Sequence, residues 1–139
     1  MNRSPLIAAL PEHLVAGAVL SGGNVSWPLT SLPLVIEAYR CAGMINRGGD
    51  LQVIQGDSTW ESPNVGVWVF DSELVASGSG RADEAASVAL SKLAGLDREV
   101  LREEAIAGCP FFTKSTSVID PAVLRLTWRA EPNCLGQTA

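Results

Sequence analysis

Few residues in this chain could do chemistry. Asp57 and Glu61 share one polar stretch, and Asp71 and Glu73 share another. Two convergent carboxylates could divide acid and base work, or hold a divalent cation. No Asp-x-Asp-x-Asp-Gly pattern supports a calcium loop, and four carboxylates around one end of a sheet are more often solvated surface charge. His13 is the only histidine, so any Ser-His or Cys-His nucleophile must use it. It stands beside Glu12 near a helix start, where an exposed histidine is commonplace, and there is no G-x-S-x-G elbow. Cys41, Cys109 and Cys134 are odd in number, far apart and without a CxxC, which excludes an ordinary zinc site and does not fit a secreted disulfide framework. Cys41 within a helix and Cys109 beside Pro110 are expected as buried reduced thiols. Gly78-Ser79-Gly80-Arg81 could present backbone N–H groups to an anion, but it lacks phosphate-loop spacing and reads as a turn into a helix. No catalytic set, metal site or cofactor site is assembled, and the expectation is a protein that is not an enzyme.

Trp60 lies between Thr59 and Glu61 in the most polar stretch of the chain. A tryptophan there either folds back on the sheet or offers an interface anchor ringed by acids. The candidate partner-binding set is therefore Asp57, Trp60, Glu61, Asp71 and Glu73. Trp27, Trp68 and Trp128 sit in apolar or strand contexts and are assigned to the core.

The elements that must position these residues are organised around 30–70. Leu32, Val35, Ile36 and Tyr39 repeat at helical spacing, with Thr30 or Ser31 as cap, Pro33 in the first turn and Gly43 as the stop. Asn46-Arg47-Gly48-Gly49 reads as a turn, followed by strands at 51–54 and 65–70 around a long polar loop. Pro63 and Gly66 mark the second strand as an edge or as bulged. Before this core, 1–10 is a lead-in, Pro11 starts a helix to about Leu20, and Trp27-Pro28 is an anchor or strand fragment. After it come a short strand at 74–77, helices at 82–93 and 98–107, a docking segment Cys109–Phe112, a strand start at 118–119, a strand at 123–129 and a loose tail from Asn133. The fold class expected is α+β: a single domain, 1–139, with a small mostly antiparallel sheet packed against several helices.

Composition bounds the partners. Hydrophobic residues make up 47% of 139, enough for a folded core. Fifteen acids against ten bases give a net charge of −5, which repels phosphate backbones and suits a basic protein partner. The run Leu14–Leu20 is too short to span a membrane and no signal peptide is recognised, so the chain is read as soluble and cytoplasmic.

Trp27-Pro28, the helical Glu37-Ala38-Tyr39-Arg40, and Gly43 through Asn46-Arg47-Gly48-Gly49-Asp50-Leu51-Gln52 together resemble small bacterial immunity proteins. These are the antidotes of polymorphic toxins and contact-dependent growth inhibition systems. The resemblance covers about residues 24–70. It implies stoichiometric binding of a cognate toxin domain, often a basic nuclease, without turnover. The competing expectation is a non-catalytic interaction domain that pairs through its strand edge or as a homodimer, with a carboxylate-dependent small-molecule enzyme as a third class.

Overall fold

The helix with the clearest apolar repeat is the one on which the sheet is laid. The computed structural model describes residues 10–21, 24–55, 58–110 and 124–133. In chain order these form α1 (Glu12–Val15), β1 (Val19–Ser21), β2 (Asn24–Pro28), α2 (Leu32–Cys41), β3 (Met44–Gln55), β4 (Ser58–Trp68), α3 (Gly80–Ala94), α4 (Arg98–Gly108), β5 (Leu124–Thr127) and β6 (Arg129–Pro132). Single 3-10 turns cover Leu29–Ser31 and Asp71–Glu73. The strands make one curled antiparallel sheet in the order β1-β2-β5-β3-β4, with β6 continuing beside β3. This is the α+β architecture expected.

Directly opposed residues of antiparallel strands share a face. Trp27, Leu126 and Leu51 form one such row, and Leu124, Val53 and Trp60 the next. Helices cover this face. The four residues predicted for the buried stripe of α2 are all fully buried, and the Tyr39 ring meets Trp27 edge to face at 6.5 Å. Helix α3 presents Ala82, Ala85, Ala86 and Ala89 inward, and those small side chains let it approach β3 closely. Asn46 links the layers: its Oδ1 accepts from the Trp128 indole (2.9 Å) and its Nδ2 donates to the Ile36 carbonyl (3.1 Å).

Several expectations are corrected. Gly48 and Gly49 lie inside β3 and not in a turn. Gly48 has φ of +97° at a register shift, where β-branched or bulky residues are strained. A Cβ on Gly49 would overlap the Thr127 carbonyl oxygen well inside van der Waals contact distance, so these glycines let backbones touch. The long polar loop is also strand: β3 and β4 pair continuously from Gln55↔Ser58, with the bulge falling between Ser62 and Gly66, as Pro63 and Gly66 suggested. The helix expected to reach Leu20 ends at Val15, because Gly17 breaks it and Val19–Ser21 pairs with β2. Residues 74–77 form no strand. Neither Thr30 nor Ser31 caps α2 through a side chain, since both lie in the 3-10 turn. Cys41 is exposed and Cys109 buried. Trp68 is half-buried on the sheet face away from the helices, where its indole donates to Asp50. The expectations for 1–9, 111–123 and 134–139 lie outside the described residues.

Candidate functional site

The proposed contact residues divide between the two ends of β4. Trp60 and Glu61 begin the strand, whereas Asp71 and Glu73 follow its far end. Asp57 lies outside the described residues.

At the far end the acids are already occupied. Asp71 accepts from Arg47 (2.9 Å) and Arg81 (2.6 Å), and Arg47 also meets Glu131 at 2.5 Å. Glu73 accepts from Lys92 at 2.7 Å and from the Phe70 backbone N–H at 2.9 Å, while Lys92 also donates to the Trp68 carbonyl. The Arg47 hydrogen bond holds the Asp71 carboxyl below its ordinary range, and the Lys92 bond does the same for Glu73. This network ties the turn after β4 to α3 and to the β3–β6 pair. It is not an open acidic patch.

At the near end, Trp60 folds back. Its ring packs on Gly108 at the end of α4, so closely that a Cβ there would sit 2.9 Å from the ring. Position 108 thus needs a residue without a side chain, and Trp60 spaces the helix from the sheet. The carboxylates around it carry no ion pair among the described residues. Glu104 accepts from the Ser62 hydroxyl at 2.6 Å, Glu61 accepts from the Asn24 amide at 3.3 Å, and Glu103 lies exposed on α4. Strand β4 is the last strand of the sheet on this side and, among the described residues, pairs only with β3. One end of the molecule therefore presents an outer strand flanked by carboxylates that pair with no base among the described residues. The adjacent Glu103 and Glu104 of α4 stand in the sequence as a local charge pair, but the position of α4 beside β4 comes only from tertiary packing.

The second feature is the sheet face away from the helices, which is polar yet largely buried. Glu61, Gln52 and Arg125 stand opposite one another on three adjacent strands, and Ser26 and Thr127 form the next pair. Arg125 is only 8% exposed and donates to neutral acceptors, the Ser26 hydroxyl (3.0 Å), the Ser26 carbonyl (2.8 Å) and the Gly17 carbonyl (2.6 Å). Burial lowers its pKa. Gln52 is fully buried, and neither its amide nitrogen nor its amide oxygen has a partner among the described residues. The curl of the sheet carries Asn24 of β2 over to Glu61 of β4, and Arg129 donates to the same Asn24 at 3.0 Å.

Among the described residues, no three His, Cys, Asp or Glu side chains converge as metal ligands, and no helix is long and apolar enough to cross a membrane. No protein-family model, curated protein or solved structure matches the chain.

Proposed function

We propose that this chain is an immunity protein, which binds and neutralises a cognate bacterial toxin domain in the cytoplasm and catalyses nothing itself. The observation that carries the reading is the outer strand β4, bordered by Glu61, Glu103 and Glu104 with no ion pair among the described residues. Among the described residues Arg40, Arg47, Arg81, Lys92 and Arg102 are held in ion pairs with other carboxylates, and none of them pairs with Glu61, Glu103 or Glu104. Such a patch steers a basic partner and accelerates encounter. The unpaired backbone of an outer strand can add main-chain hydrogen bonds once contact is made. Trp60 acts here by holding α4 beside β4, so that Glu103 and Glu104 border the outer strand.

A homodimer through β4 is the alternative, since the same edge could pair with a second copy. Like charges then meet across the seam, which disfavours it. The reading is tested by co-expressing the chain with a toxin domain encoded beside it. Rescue of growth with a one-to-one complex supports the antidote role. Absence of both rescue and complex removes it, and a concentration-dependent dimer in their place selects the alternative.

A further inference from the structure

A groove of about 500 Å³ opens where the 3-10 turn before α2 meets the end of α3 and the start of α4. It is lined by Leu29, Leu90, Leu93 and Leu96, with Pro33, Ala94, Thr30 and Arg98 completing the wall. Its size falls within the roughly 300–1,000 Å³ usual for small-ligand sites. Arg98 is the one charged residue in that lining, is exposed, and makes no ion pair among the described residues. Its own helix does not explain it. A cation in the first turn opposes the helix dipole, and the α4 cap is supplied by Asp97, which accepts from the Glu99 N–H at 2.9 Å. In a chain that pairs Arg40, Arg47, Arg81, Lys92 and Arg102 with carboxylates, this base faces leucines.

We infer that the groove binds a medium-chain aliphatic carboxylate, its tail against the leucines and its head group on the Arg98 guanidinium. Charge complementarity selects the head group, because an apolar cleft with a lone cation at its rim favours an amphiphile of opposite sign over a neutral one. The groove lies at the start of α4 and Trp60 packs on its last residue, so this site is separate from the acidic edge and does not depend on the antidote reading.

The test is titration of the intact chain with decanoate below its micelle concentration, followed by calorimetry and by leucine methyl NMR shifts, with decanol and acetate as controls. Decanoate should saturate at one equivalent, bind about tenfold more tightly than decanol, and lose that advantage in Arg98→Gln. Ala94→Trp fills the groove from an exposed position and should abolish both ligands while leaving the circular dichroism spectrum unchanged. Equal affinity for decanoate and decanol, no effect of Arg98→Gln, or binding that persists in Ala94→Trp would each overturn the inference. So would groove methyl shifts that appear on raising protein concentration without ligand, which would mean that a second copy fills the site.

Discussion

Two buried side-chain amides in this protein should respond in opposite directions to the same kind of change. Gln52 and Asn46 both lie in β3 and both are fully buried. Asn46 makes two hydrogen bonds, to Trp128 and to Ile36, whereas both polar atoms of Gln52 lack a partner among the described residues. On folding, an unpartnered buried amide loses its bonds to water and gains nothing, a cost of about 1–3 kcal/mol for each polar group. Gln52→Met keeps the shape and length of the side chain and removes both groups. It should therefore stabilise the fold by about 2–4 kcal/mol. For 139 residues the entropy of unfolding is about 0.3 kcal/mol/K, so the melting temperature should rise by roughly 7–14 °C. Asn46→Leu strands the Trp128 indole N–H in the core and should lower stability by about 2–4 kcal/mol. Urea unfolding followed by tryptophan fluorescence, with a thermal scan in the near ultraviolet, gives both numbers in one series. A Gln52→Met variant that is less stable than the parent, while Asn46→Leu behaves as stated, would show that Gln52 is hydrogen-bonded in solution. The description of the polar sheet face would then be wrong.

Gly49→Ala forces a Cβ into the Thr127 carbonyl where β3 and β5 touch, and should cost about 3 kcal/mol or more, read as loss of soluble protein or a collapsed urea midpoint. Wild-type stability there would mean the strands stand further apart than described. Glu37, Asp71 and Glu73 are each held below the ordinary carboxylate range by a bonded base, Arg40, Arg47 and Lys92 in turn. Their contribution is present above the unfolded carboxylate pKa and is lost as pH falls through the lower folded values. Stability should hold level above about pH 5 and decline toward pH 3, and the decline should be shallower in Asp71→Asn with Glu73→Gln. An identical acid slope in that double variant would show that these pairs do not persist in solution.

The parts of the fold that were legible are those where one local signal had no rival. The stripe Leu32, Val35, Ile36 and Tyr39 acts within a single element and is found as read, and the Asp97 cap and the alanine face of α3 are local in the same way. The misreadings have a common cause in tertiary contact. Gly-Gly is turn chemistry by local rules, but at 48–49 it answers to the backbones of β4 and β5 lying against β3. The polar stretch after Gln55 looked like a loop because its hydrophobic residues are sparse, yet Ser58–Ser62 is a strand whose partners are supplied by β3. The candidate site shows the same limit. Charge counting found acids but not which of them Arg47, Arg81 and Lys92 would neutralise, so Asp71 and Glu73 were read as contact residues without the bases that pair with them. A signal for the polar sheet face was present in the alternation Asn24-x-Ser26, Asp50-x-Gln52 and Arg125-x-Thr127.

In the proposed antidote role, an acidic outer strand takes hold of a basic toxin domain. The most direct test of that role is the association rate of the chain with the toxin domain encoded beside it, measured by stopped flow against salt concentration for the parent and for Glu61→Lys with Glu103→Lys. The account gives a one-to-one complex whose on-rate falls steeply with salt, and a variant that folds normally but associates at least about tenfold more slowly with a flatter salt dependence. A complex whose on-rate ignores both salt and charge reversal, or no complex at all, would contradict it.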